Sequence, residues 1–381
     1  MKENIYSRSR RRTHWTDKAS VTPLESFLDN HVAVEYGRRH PRISDTMESE
    51  LLNTFEPAGC PHCKKGIYKR YGYLRTGLRR YRCLECGKTF TMLTGTLFEN
   101  HKQPISEWID TCLELFSEQS FEAISKANRK AYNTTRYWID KIFMALKGTQ
   151  DGIILSGKVY LDETYLKVIK RDVERRSDGK EYRGISRNQI CIGIAYDGSN
   201  VYCCLLGHGK PSQKSVYNGF KAHVAPGSTL IHNREKAHKK LIQELGLESI
   251  EYDSKQLKGL PDSENPLEPI NRRCYELQRL MSRHPGFSRD DLPGYLDLFS
   301  YIHNPPQDKY EKTENLIKRI LENPNSLNTG TKLRLNALNE VFQQHCADRN
   351  FIILMSFIKK FKFKKIISIL YMNIHCKLIQ P

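Results

Sequence analysis

At 381 residues the chain is long enough for two or three domains, each with its own core at roughly 150 residues per domain. Apolar residues at 39% and charged residues at 27% exclude a collagenous or low-complexity chain. The excess of 61 Lys and Arg over 43 Asp and Glu leaves a formal charge of +18, which points to a polyanionic partner, either nucleic acid or an anionic membrane.

The first twelve residues are polar and basic with no apolar run, so no secretory leader is expected and a cytoplasmic, nucleoid-associated location is. In that compartment the cysteines are expected as thiols or metal ligands rather than disulfides. The most apolar stretch, 351–376, is interrupted by Lys359, Lys360, Lys362, Lys364 and Lys365. No membrane span is expected.

In chain order, residues 1–55 read as a basic arm, with Arg8, Arg10, Arg11 and Arg12, and a short helix near Leu24, Phe27 and Leu28. Residues 56–95 carry the sharpest motif. Cys60 and Cys63 form one CxxC pair, and Cys83 and Cys86 form a second, nineteen residues later. Two such turns let four thiolates converge on one structural Zn²⁺. Tyr68, Tyr71, Tyr73 and Tyr81 favour strands, and Gly66, Gly72, Gly77 and Gly87 supply turns. Between the pairs stand Lys64, Lys65, Lys69, Arg70, Arg75, Arg79, Arg80 and Arg82 with no acid among them. Cations interleaved with aromatics suit phosphate contact and base stacking. The expectation is a zinc ribbon that touches nucleic acid.

Residues 104–148 show helical spacing at Trp108, Cys112 and Leu115, then at Phe121, Ile124 and Ala127. Asn133 is expected to cap a last helix over 134–146, bearing Thr134, Thr135, Arg136 and Lys141. Three short helices fit a helix-turn-helix whose second helix enters a major groove.

From 155 to 305 the pattern changes to period two. Val159 and Leu161 lead into Asp162-Glu163-Thr164-Tyr165, and two alternating strands follow around Ile192 and Cys203. Helix, strand, helix, strand and helix come next, ending at 265–283. That order predicts an RNase H-like domain with a mixed sheet. Such a site uses acids at strand ends and on the last helix to hold divalent ions, and Asp162, at the end of an apolar strand, fits the first position and a Mg²⁺ ligand. The GxxxxGK stretch from Gly152 to Lys158 precedes a strand and lacks the following Ser or Thr, so it is no P-loop. His232 and His238, near the expected site, are by default satisfied histidines. Residues 306–381 read as a helical, basic tail, preferred as a non-native extension over a membrane-surface segment.

The paired CxxC motifs, Asn133-Thr134-Thr135-Arg136-Tyr137-Trp138 and Tyr160-Leu161-Asp162-Glu163-Thr164-Tyr165 together resemble bacterial insertion-sequence transposases with a transposase zinc ribbon and an ISXO-like DDE catalytic domain. Residues 228–238 resemble the stretch carrying that group's second Asp, and Pro269-Ile270-Asn271 its third-residue helix. The resemblance covers roughly 56–306 and implies double-stranded DNA at element ends as partner, a homo-oligomer on that DNA, and Mg²⁺ or Mn²⁺ as catalytic ion. Two departures stand out. The second acidic position is Asn233, and the third is Asn271, with Gln278 where a Lys commonly follows; Glu268 is an alternative third ligand. Glu235 substitutes for Asn233 only if its strand runs that far. The resemblance therefore implies an impaired transposase, or alternatively a non-catalytic DNA-binding repressor or regulator derived from one.

Overall fold

A computed structural model describes residues 46–99, 104–168, 170, 173–253, 255–284 and 289–322. The arginines of the basic arm, the helix expected near Leu24 and the apolar 351–376 stretch lie outside the described residues.

Thr46–Asn53 forms α1, which docks rather than trailing as part of an arm. Leu52 is buried, Glu48 accepts a hydrogen bond from the Ile105 backbone N–H, and the Asn53 amide brackets a turn by accepting from Arg79 N–H and donating to the Gly77 carbonyl.

Tyr68–Tyr73 (β1), Arg79–Cys83 (β2) and Thr89–Phe90 (β3) build an antiparallel sheet with β2 in the middle. Its small core is aromatic: Tyr81 lies 5.3 Å from Tyr68 and 5.6 Å from Phe90, centroid to centroid.

Ile105–Phe116 (α2), Phe121–Ala127 (α3) and Tyr132–Leu146 (α4) follow. Trp108 and Trp138 stack at 4.2 Å and hold α2 against α4. Two local expectations change here. In α3 the buried stripe is Phe121, Ile124, Ser125 and Asn128, and Ala127 is exposed, because a repeat of three drifts off a face that repeats every 3.6 residues. Helix α4 starts at Tyr132 after Ala131, so Asn133 is inside it and caps nothing.

Lys158–Lys167 (β4), Gln189–Tyr196 (β5), Val201–His208 (β6), Thr229–Asn233 (β7) and Glu248–Tyr252 (β8) form a five-stranded mixed sheet in the order β6-β5-β4-β7-β8. The β4–β5–β6 meander is antiparallel, whereas β7 and β8 run parallel to β4. Parallel neighbours need crossovers, and these are supplied by Gln213–Phe220 (α5) and Lys239–Leu245 (α6). Both pack on one face of the sheet, where Val159, Leu161, Val216, Phe220, Leu230 and Leu241 form a continuous core. Gly193 permits the closeness of α5, since a Cβ there would lie 2.7 Å from the Phe220 ring.

Glu268–Ser282 (α7) and Leu292–His303 (α8) cover the other face. Gln278 on α7 donates to Thr164 Oγ1 at 2.7 Å, and Ser300 on α8 donates to the Val201 carbonyl at 2.8 Å. A last helix, Lys309–Glu322 (α9), corrects the boundary of the expected tail. Leu316, Ile317, Ile320 and Leu321 are buried, and Arg319 donates to the carbonyls of Ala145 and Lys147, both at 2.9 Å. Lys312 donates to the Tyr301, Ile302 and Asn304 carbonyls, placing its ammonium at the negative end of α8. These fourteen residues belong to the fold.

Candidate functional site

β4 and β7 are central and parallel, so their C-terminal ends open on the same edge of the sheet, where ligands of open α/β sheets bind. Asn233 is the last residue of β7, whereas Asp162 projects beside it from the middle of β4, whose pairing with β5 runs on to Lys167, so Asp162 does not end its strand as expected. Helix α7 brings Asn271 to the same place. The three line one cleft of about 350 Å³ with Lys255, Leu257, Lys258, Asn265 and Leu267. Residues 71 and 109 apart in sequence from the first are thus assembled on one wall.

The hydrogen bonds fix how Asn233 presents itself. Its Nδ2 donates to Asp162 Oδ1 at 2.9 Å, and its Oδ1 accepts from the Glu235 backbone N–H at 3.2 Å. Turning the amide over would set oxygen against oxygen and N–H against N–H, so the network selects this orientation. Asp162 Oδ1 also accepts from the Glu163 N–H at 2.8 Å. Burial pushes the Asp162 carboxyl up to about 6, partly offset by that backbone N–H.

Asn271 lines the cleft, whereas Glu268 does not. Glu268, the alternative third ligand, turns to Arg272 and accepts from its Nε at 2.7 Å. Glu235 lies past the end of β7 and contributes nothing to the lining. Gln278, at the expected Lys position, is engaged with Thr164.

A two-ion centre needs carboxylates that face the ions. This cleft offers one, Asp162, beside two lysines and an amide whose N–H₂ points at that carboxylate. The donor set does not fit two divalent ions.

The four cysteines do meet. Cys60 Sγ lies 3.7 Å from Cys86 Sγ, and Cys63 Sγ 3.5 Å from Cys83 Sγ, with all four sulfurs within 4.8 Å of one another. Tetrahedral thiolates about 2.3 Å from a zinc ion sit about 3.8 Å apart, so this cage fits one. The Cys83 thiol is brought down to about 7, first by the backbone N–H of Cys86, which favours the thiolate that binds metal.

Compensating carboxylates do exist around the basic cluster, contrary to the reading between the cysteine pairs alone. Glu56 pairs with Arg70 at 2.7 Å and Arg79 at 3.2 Å, and Glu85 pairs with Lys65 at 3.2 Å. Lys64 and Lys69 are exposed. Arg80 and Arg82 on the middle strand β2 lie over the Tyr71 ring of β1 at 4.9 and 5.5 Å, giving the sheet a cationic, aromatic face.

On α4 the expected contact residues divide. Thr134 is exposed, and Lys141 lies over the Tyr137 ring at 4.7 Å. Thr135 is 1% exposed. Arg136 is used internally, pairing with Asp140 and Asp291 and donating to the Tyr295 hydroxyl. The exposed stripe is instead Tyr132, Asn133, Thr134 and Tyr137. Periodicity located the helix but not this face, because α8, which supplies Tyr295, is remote in sequence.

Among the described residues no helix is long and apolar enough to cross a membrane. No family model matches the chain. A stretch of 132 residues is 30% identical to an uncharacterised protein in transposable element ISH50 of Halobacterium salinarum; it spans 33% of this chain and 43% of the length of that relative. Among solved structures, the Mos1 transposase paired-end complex with left transposon end overlaps 59% of this chain and 79% of that chain at 13% identity and a TM-score of 0.24. The Drosophila P element transposase strand transfer complex overlaps 57% and 61% at 12% identity and a TM-score of 0.23. Overlaps this loose carry no argument about fold or activity.

Proposed function

We propose that this protein is an insertion-sequence transposase whose strand-cleaving site is impaired: it binds element-end DNA, as a homo-oligomer on that DNA, without efficient cleavage. Three things support the DNA-element reading: the partial similarity to an ISH50-encoded protein, the RNase H-like strand order, and the gathering of Asp162, Asn233 and Asn271 in one cleft. The observation that carries the impairment is the Asn233 amide donating to Asp162. A hydrogen-bond donor stands where a second anionic ligand is required. It occupies the remaining carboxylate and supplies no negative charge.

Binding is assigned to three surfaces. The cysteine cage, with Zn²⁺ as its ion, stiffens the sheet that presents Lys64, Lys69, Arg80 and Arg82 beside Tyr71. The N-terminal face of α4, read as the second helix of a helix-turn-helix, offers Asn133, Thr134 and Tyr137, with Lys141 one turn on, to a groove. Lys255 and Lys258 hold phosphate at the mouth of the cleft. Lys65, Arg70 and Arg79 contribute less, because each already has a carboxylate partner.

A plasmid-nicking assay tests this reading. The wild-type chain should leave supercoiled plasmid intact in Mg²⁺ or Mn²⁺, and Asn233→Asp should restore divalent-dependent nicking. Robust wild-type cleavage that disappears in Asp162→Ala would refute the impairment. The same amide favours a second reading, a non-catalytic DNA-binding regulator; element-end binding with no nicking even in Asn233→Asp selects it.

A further inference from the structure

We propose that His238, bonded to Glu163 and His232, is a positioning residue that sets the separation of Asp162 and residue 233 from the far face of the sheet. The inference rests on the cleft being the working site. It starts from where the backbone stops helping. The β4–β7 ladder ends at the pair Leu161 and His232, so Asp162 and Asn233 each lie one residue beyond the last pair that joins these two strands, although Asp162 still pairs with Ile194 on β5 and Asn233 with Tyr252 on β8. From there the ladder no longer fixes the gap between the two chains.

Side chains alternate across a strand. The neighbours of the cleft residues, Glu163 and His232, therefore point away from the cleft, on the face where Leu161 joins the core. There they are bridged. Lys236–His238 forms a single 3₁₀ turn after β7, which returns His238 to the core with no exposed surface. His238 Nε2–H donates to Glu163 Oε1 at 2.8 Å. His232 Nδ1–H faces His238 Nδ1 at 2.9 Å and also the Asn233 carbonyl. Ser249 Oγ–H on β8 donates to His232 Nε2 at 3.0 Å. These assignments form one self-consistent direction of donation, from Ser249 through both imidazoles to Glu163. Burial, and then His238, hold the His232 imidazole down at about 4, in keeping with a neutral ring.

The set is costly for an apolar core. His232 is 1% exposed and the Glu163 side chain 4%, and apolar residues of similar volume fill such space with less desolvation. What hydrogen bonds add is direction. Each fixes a ring or carboxylate orientation, and in series they link β8, β7, the 3₁₀ turn and β4 directly behind the two residues that face the cleft.

The test removes the bonds and keeps the volume: Glu163→Leu combined with His238→Phe in the full chain. The thermal midpoint is expected to stay level or rise. Hydrogen exchange at the amides of 162–163 and 233–238 should accelerate about tenfold or more, while the amides of Val159 and Leu230 keep their protection. Unchanged exchange at the strand ends, or acceleration spread evenly through the sheet, overturns the proposal. The second readout uses Mn²⁺ with the Asn233→Asp chain. Adding the apolar pair should weaken Mn²⁺ binding about 10- to 100-fold, as loss of a supporting shell does elsewhere, and equal affinity overturns the proposal. His238→Gln, whose amide can donate to Glu163 and accept from His232, should recover most of that loss. If Asn233→Asp alone gains no Mn²⁺ affinity, the reading of the cleft fails, and the exchange measurement still decides the role of His238.

Discussion

Asp162 carries a thermodynamic signature as well as a place in the cleft. Its folded carboxyl lies near 6 against an ordinary 3.8, chiefly through burial. Between those values the folded chain holds a proton that the unfolded chain releases, so this group's contribution to stability falls as pH rises through about 4 to 6. Asp162→Asn removes that penalty and still accepts from Asn233. Its unfolding free energy at pH 7 should exceed the wild type's by about 1–3 kcal/mol, with the gain gone by pH 4, as read from urea titrations at both pH values. A gain of equal size at pH 4 would contradict the burial account. Asn233→Asp should do the reverse in metal-free buffer at pH 7, since it sets a second carboxylate against a buried one. Divalent ions should then recover the lost stability.

At the scale of elements, the cysteine cage and α9 make separate demands. The sheet β1–β3 has an aromatic core of three rings, too small to hold it alone, and in small metal domains metal binding and folding are one free energy. Cys83→Ser should lose one equivalent of bound zinc and open the segment 57–95 to protease, while the mixed sheet stays resistant; metal analysis and limited proteolysis check both halves. Four apolar side chains of α9 are buried, at about 1.5–3 kcal/mol each, a sum comparable to the roughly 5–15 kcal/mol stability of a whole domain. A chain ending at residue 308 should unfold or aggregate at room temperature.

For the molecule as a whole, a charge of +18 predicts DNA binding that weakens steeply with salt, with a log–log slope of about −0.9 for each phosphate neutralised. Replacing Lys64, Lys69 or Arg80 by Ala should each reduce that slope by about one. Arg70→Ala and Arg79→Ala should change it less, because Glu56 already faces both. Filter binding across a salt series separates the two groups.

Several features of this protein were fixed locally. The spacing of four cysteines marks a cage, because each short turn points two thiols the same way and the β1–β2 hairpin between them brings the two turns together. Period-two alternation set β4, β5 and β6, and Asp162 at the end of an apolar run marked the cleft. What depended on distant partners was decided only by tertiary structure. Arg136 looked like a DNA contact until Asp291 and Tyr295 arrived from 155 and 159 residues away. Glu268 and Asn271 share one helix, and only the tilt of α7 against β4 determines which faces the cleft. Asn233 was visible as a missing charge, but the direction of its amide, and the imidazoles behind it, follow from β7 lying beside β4. A residue's type is local; what its polar atoms point at is not.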